Sequence, residues 1–137
     1  MTEVDQAKAK NVGTRLLRFE DQTLLRGKGK FIDDMPVAKQ TLHAAFVRSP
    51  HAHARIKSID VSAALKMPGV KAVVTGADVW PLTKPLIVGF ANPMDYRGIA
   101  KDKVRYVGEP VAVVCASDRY RAEDALAAVV VEYEVLP

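Results

Sequence analysis

Cysteine is almost missing from this sequence: Cys115 stands alone in 137 residues, so no internal disulfide can form. A chain of this length buries roughly two thirds of its unfolded surface, which suffices to fold without covalent staples. A lone thiol also suits a reducing compartment. Aromatic side chains are scarce, at 7% of residues, so a core must come mainly from Val, Ala, Leu and Ile. Long apolar runs are lacking too. No stretch approaches the ~20 residues that cross a bilayer, and the opening MTEVDQAKAKNVGTR has no apolar segment of a secretory leader. No membrane association is expected, and the expected location is cytoplasmic. Eight Gly and eight Pro allow frequent turns but exclude collagen-like or linker sequence.

Charge of one sign is not concentrated anywhere. The formal net charge is +4, yet nine Lys and Arg face six Asp and Glu in residues 1–48, and eleven face ten in residues 49–137. The excess lies among acids such as Glu20, Asp21, Asp33 and Asp34. A phosphate-tracking surface needs clustered cations, usually beside stacking aromatics. No nucleic-acid partner is expected.

Hydrophobic patterning supplies the elements. The lead-in, residues 1–16, is polar and aperiodic and is expected to be flexible. Arg26-Gly27-Lys28-Gly29-Lys30 and Asp33-Asp34-Met35-Pro36 read as turns. From 41 to 59 the chain alternates with a period of two: Leu42, Ala44 and Phe46 against His43, Ala45 and Val47, then Ala52, Ala54 and Ile56 against His51, His53, Arg55 and Lys57. Pro50 offers no ladder donor, so this extended stretch bends or bulges there. Asp60 caps a short helix over Val61–Met67, which Pro68-Gly69 ends. Val70–Thr75 is β-branched and predicts a buried strand, and Gly76-Ala77-Asp78 begins a turn. Pro81, Pro85 and Pro93 mark an irregular excursion over 80–102, with at most a short strand near Leu86–Phe90. Strands are predicted at Val104–Val107 and at Val111–Ala116, the latter apolar on both faces and so central. Ser117 or Asp118 caps a second helix whose stripe is Ala122, Ala125, Leu126 and Val129. A last strand covers Val129–Val135. Adjacent strands mixed with two short helices predict an α+β domain.

Candidate chemistry weakens on inspection. His51 and His53, with His43 nearby, are the most metal-like group, but zinc needs a further ligand and no Glu, Asp or Cys flanks them. The simpler reading is a polar strand face shared with Arg55 and Lys57. Cys115, among Val111, Ala112, Val113, Val114 and Ala116, reads as a small core residue and not a nucleophile. Gly27-Lys28-Gly29-Lys30 lacks the spacing of a phosphate loop and no helix follows it. Asp33-Asp34 is turn chemistry, and Glu123-Asp124 falls in the first turns of a helix, where negative charge is favourable. No Ser/His/Asp order and no H-E-x-x-H is present, which removes a small hydrolase. No residue of the chain is assigned a catalytic, cofactor-binding or metal-ligating role.

Several strings taken together are specific: Arg18-Phe19-Glu20-Asp21, Leu24-Leu25-Arg26-Gly27-Lys28-Gly29-Lys30-Phe31-Ile32-Asp33-Asp34, Val47-Arg48-Ser49-Pro50-His51-Ala52-His53-Ala54-Arg55-Ile56, Pro68-Gly69-Val70, Thr75-Gly76-Ala77-Asp78, Val104-Arg105-Tyr106-Val107-Gly108-Glu109-Pro110-Val111-Ala112, Ala122-Glu123-Asp124-Ala125 and Val131-Glu132-Tyr133-Glu134-Val135-Leu136-Pro137. In this order they resemble the N-terminal domain of the molybdenum-binding large subunit of the xanthine dehydrogenase, aldehyde oxidase and aerobic carbon monoxide dehydrogenase family, from Leu17 to Pro137. The resemblance implies an α/β-hammerhead fold over residues 17–137. It also implies a parent oxidoreductase that hydroxylates a carbon centre, or oxidises carbon monoxide, with water as the oxygen source. Its molybdenum would carry a pterin cofactor, often the cytosine dinucleotide form, with two [2Fe–2S] clusters and FAD on partner subunits or domains. The family's cofactor segments and glutamate base follow this domain, so none is carried onto this chain. The expectation is a structural and assembly domain, inactive alone, as an excised piece, a truncated product or a split subunit. It would dock through the polar face at Arg48, His51, His53 and Arg55 or through the excursion at 80–102. The rival is a free-standing ligand- or protein-binding module without redox activity.

Overall fold

The computed structural model describes Arg15, residues 17–86 and residues 96–137. The chain divides into two units, residues 1–38 and 39–137. The predicted lead-in lies outside the described residues except for Arg15, and so does the predicted strand near Leu86–Phe90 beyond Leu86 itself.

The first unit holds α1 (Asp21–Leu25) and a 3-10 turn at Ile32–Asp34. The α1 helix was not expected, because five residues are too few for a helical period to show. Its exit is the predicted glycine turn: Gly27 N donates to Leu24 O and Lys28 N to Thr23 O, each at 3.0 Å, the paired bonds of a Schellman closure. At the second turn Phe31 N donates to Asp34 Oδ2 at 2.9 Å, so the acid acts as turn chemistry.

The second unit contains β1 (His43–Arg48), β2 (Ala54–Asp60), α2 (Ser62–Leu65), β3 (Val70–Thr75), α3 (Gly76–Val79), β4 (Lys103–Val104), β5 (Pro110–Ala116), α4 (Arg119–Asp124) and β6 (Val130–Val135). Short 3-10 turns follow α3 at Trp80–Leu82 and α4 at Ala125–Ala128. The strands form two antiparallel three-stranded sheets, ordered β1-β5-β3 and β4-β2-β6. The expected bend near Pro50 is a complete break: β1 and β2 belong to different sheets. As the sequence predicted, β5 is central, flanked by β1 and β3.

Three expectations are corrected. The β3 strand lies at a sheet edge and is half-buried, because only β5 pairs with it. The predicted strand at Val104–Val107 shrinks to Lys103–Val104, since the chain turns at Tyr106–Gly108 to leave one sheet for the other. Gly76-Ala77-Asp78 opens the one-turn helix α3 instead of a simple turn; Thr75 N and Oγ1 both donate to Asp78 Oδ2, at 2.8 and 2.7 Å, a capping box.

Asp118 caps α4 as the sequence predicts, its Oδ1 accepting from Arg121 N at 2.9 Å. The α2 helix is shorter than the predicted Val61–Met67 and its cap is Val61, while Asp60 Oδ1, one residue earlier, accepts from Ser62 N at 2.9 Å. The predicted stripe faces the core, with Ala122, Ala125 and Val129 buried and Leu126 packed against them, but only Ala122 lies in α4: Ala125 and Leu126 fall in the following 3-10 turn and Val129 caps it. The core is made of small residues, with Ala45, Ala54, Ala64, Ala112, Ala116, Ala122 and Ala125 buried and Val104, Val111 and Val114 its largest fully buried apolar side chains. Alanine at these positions lets short helices settle close to the sheets, where dispersion contacts are dense.

Gly76 has no room for a side chain: a β-carbon there would stand 2.3 Å from Ala100 O and 2.7 Å from Lys101 Cα. Both obstacles are backbone. Gly76→Ala should therefore destabilise the fold by about 1–3 kcal/mol through overpacking, read as a lower urea midpoint; an unchanged midpoint would show that the 100–101 backbone yields freely.

Three carboxylates at helix starts sit below the ordinary range for aspartate. Asp60 is lowered by its hydrogen bonds with Ser62, Asp78 by those from Thr75, and Asp118 first by the Arg121 backbone N–H. A folded pKa below the unfolded one contributes stability above the unfolded value of about 4, and loses it as pH falls through the folded value. Thermal midpoints should thus drop as pH is lowered below about 4, and Asp78→Asn should flatten that drop. An identical acid profile for the variant would exclude Asp78 as a contributor.

Candidate functional site at the crossing between the sheets

Every connection between consecutive strands passes from one sheet to the other, and two of them are short: residues 49–53 between β1 and β2, and residues 105–109 between β4 and β5. Each contains one buried residue, Ser49 and Glu109, and where a crossing is enclosed its N–H and C=O groups have no ladder and need other partners. Ser49 supplies several. Its Oγ donates to His51 O at 2.9 Å and accepts from His51 N at 3.0 Å, turning the chain tightly around Pro50. Its own N–H donates to Glu109 O at 2.9 Å, and its carbonyl accepts from Gly108 N at 2.8 Å. Arg48 Nη1 reaches Gly108 O at 2.9 Å. Gly108 takes φ +90°, a conformation that a β-carbon disfavours, and this aims its N–H and C=O at the other crossing.

Glu109 completes the junction. Its residue is 2% exposed, and together with Ser49 it forms the buried polar set of the described residues. The Oε2 atom accepts from Arg105 N, and Oε1 lies 3.9 Å from Arg105 Nη1. A buried carboxylate is stable only when paired and hydrogen-bonded, and both conditions hold here. Among the described residues no buried side-chain nitrogen or oxygen lacks a partner.

Three tyrosines border the junction. Tyr133 packs edge-on against His51, with centroids 5.0 Å apart; burial raises its pKa, with the Ser49 hydrogen bond opposing. The hydroxyls of Tyr96 and Tyr106 lie 2.7 Å apart, and this bond, followed by burial, pushes Tyr106 up to about 12. Tyr133 and Tyr106 stay protonated at neutral pH and serve as packing and hydrogen-bonding groups, not as bases. Nearby, Trp80 Nε1 donates to Ile99 O at 2.8 Å and the Arg97 guanidinium sits 4.7 Å from the indole centroid while donating to Trp80 O. The ends of the excursion are held by these contacts; residues 87–95 lie outside the described residues.

The sequence candidates are dispersed. His51 and His53 lie in the crossing, not on a strand, so the shared polar face shrinks to Arg55 and Lys57, which lie 3.8 and 3.9 Å from Glu134 Oε2 on β6. The His53 ring N–H donates through Nδ1 to Pro137 O at 2.9 Å, and His43 stands at the start of β1 opposite Ala116. No three His, Cys, Asp or Glu side chains among the described residues are grouped to hold a metal. Cys115 is half-buried, less enclosed than a core residue, because it lies on the outward face of β5 opposite Ala44 and Ala72. Glu123 and Asp124 close the six-residue α4 instead of opening it, since the α4 cap is Asp118. In the sequence Glu109 stands out only as an acid set between a turn glycine, Gly108, and a wholly apolar strand.

Glu109 is enclosed and engaged within the domain. Fold and junction together define an α+β domain built on two antiparallel three-stranded sheets. Over residues 26–137 the sequence matches the family described as aldehyde oxidase and xanthine dehydrogenase, a/b hammerhead domain. The chain is 47% identical over 129 residues to the nicotine 6-hydroxylase large subunit of Paenarthrobacter nicotinovorans, covering 91% of this chain and 16% of that protein. Its structure is similar to quinoline 2-oxidoreductase from Pseudomonas putida 86, with TM-score 0.79, 47% identity, and coverage of 95% of this chain and 17% of that one. It is also similar to Cu,Mo-CO dehydrogenase, with TM-score 0.77, 43% identity, and coverage of 91% and 16%. The chain belongs to the aldehyde oxidase and xanthine dehydrogenase family, as its α/β-hammerhead domain, and spans about one sixth of the length of these relatives.

The described residues do not fit a molybdenum pterin group: their buried polar atoms are already partnered and no ligand cluster is present among them. Glu109→Ala should leave Arg105 N without its acceptor and destabilise the second unit by about 1–3 kcal/mol. Glu109→Gln, which keeps a carbonyl oxygen, should cost less. Equal urea midpoints for both variants and the parent chain would remove the junction from the account of stability.

Proposed function

We propose that this chain is the scaffold and assembly domain, residues 17–137, of the large subunit of a molybdenum-dependent hydroxylase or dehydrogenase. The observation that carries the reading is the junction itself: its buried polar side chains hold two chain crossings in place, and none is directed at a pocket. Membership of the family supports the parent activity, and the names of the relatives support its redox class. Catalysis and the molybdenum pterin cofactor belong to polypeptide beyond this domain. The partners are the remaining large-subunit polypeptide, an iron–sulfur small subunit and an FAD subunit, with no nucleic acid and no membrane. The location is cytoplasmic; among the described residues no helix is long and apolar enough to cross a bilayer. The relatives act on chemically different molecules, so no substrate is assigned.

Expressed alone, the chain should purify without molybdenum by elemental analysis and turn over no substrate. Supplied in trans to a large subunit lacking residues 17–137, it should restore a metal-loaded, active enzyme. Stoichiometric molybdenum on the isolated chain, or turnover by it, would overturn the reading.

A further inference from the structure

The first unit is built in a way that a free-standing segment does not sustain. Its α1 helix has five residues and buries none of them, and neither does the 3-10 turn at Ile32–Asp34. Helices this short are not stable by propensity; they persist when an apolar face is covered. Here the apolar side chains face outward: Phe19 is 99% exposed, Leu25 86%, Ile32 85% and Leu17 80%. Large side chains gathered on so small a unit are the mark of an interaction surface and not of scattered surface residues.

The kind of partner follows from two features. Charges in this unit are interspersed and partly paired with each other, as Arg18 with Asp21 at 3.8 Å, so no field of one sign steers a separate soluble partner. Permanent interfaces resemble a domain core cut in half and are more apolar than transient ones. The available permanent neighbour is long, since the chain corresponds to only 16% of the nicotine 6-hydroxylase large subunit.

We infer that the apolar patch of Leu17, Phe19 and Leu25, which line one surface depression, is the seat of the remaining large-subunit polypeptide. This rests on the proposed function, and it relocates the docking surface from the Arg48–Arg55 face. There the Arg48 guanidinium is engaged by Gly108 O, while Arg55 lies within ion-pair distance of Glu134.

The test measures binding of the 137-residue chain to the separately expressed remainder of the large subunit. Three proteins are compared: the parent chain, the double variant Phe19→Asp with Leu25→Asp, and Tyr120→Asp as a control on the exposed side of α4. The parent and the control should bind alike. The double variant should bind about tenfold more weakly or worse, as expected for lost apolar anchors, with an unchanged thermal midpoint in isolation. Parent-like binding by the double variant would overturn the surface assignment and leave the scaffold reading standing. A lowered midpoint in the isolated double variant would overturn it too, by showing that the patch is covered within this chain. Equal losses in the control would do the same. If the parent chain itself does not bind the remainder, the scaffold reading falls, and the inference with it.

Discussion

Two short crossings between the sheets, residues 49–53 and 105–109, satisfy one another, and the rest of the structure turns on that constraint. Each crossing strips backbone groups of their ladder partners, and an unpaired buried N–H or C=O costs about as much as a lost hydrogen bond. The solution is to make the two crossings satisfy one another. Ser49 and Gly108 exchange a bond, Glu109 O accepts from Ser49 N, and the Glu109 side chain returns to hold Arg105 N. Low local dielectric strengthens such a network once every member is partnered. The position of β2 relative to β5, and hence of one sheet relative to the other, depends on it.

The packing around the junction follows from side-chain size. Ala54, Ala100, Val104 and Val111 form the cluster beside it, with Val47, Ile56, Val131 and Tyr133 packed against them. A second cluster of Ala64, Val114, Ala125 and Val129 joins α2 and the 3-10 turn after α4 to the β1-β5-β3 sheet. Scarce aromatics are thus no handicap. Small residues let backbones approach closely, as at Gly76 against Ala100, and a domain of modest size reaches a dense core without bulky side chains.

That economy bears on function. Among the described residues the buried polar side chains, Ser49 and Glu109, are engaged within the domain itself. In the proposed role the contribution to a larger oxidoreductase is positional: the domain offers a surface to polypeptide that carries the cofactor.

Local chemistry was legible in the residues. Strict alternation and β-branching placed β1, β3, β5 and β6, Asp60 and Asp118 announced their helices, and the glycine run at 27–30 announced a turn, because each depends on neighbours within a few positions. The strings quoted from Arg18 to Pro137 carried the family and, with it, the hammerhead. Tertiary structure alone decided the rest. It assigned β1 and β2 to different sheets, left β3 at an edge and Cys115 half-buried, drew His51 and His53 off the strand face, and made Glu109 the buried anion. Those outcomes turn on contacts such as Arg48 with Gly108, 60 positions apart. No spacing within either segment encodes the other, so only the closed backbone brings them within hydrogen-bond reach.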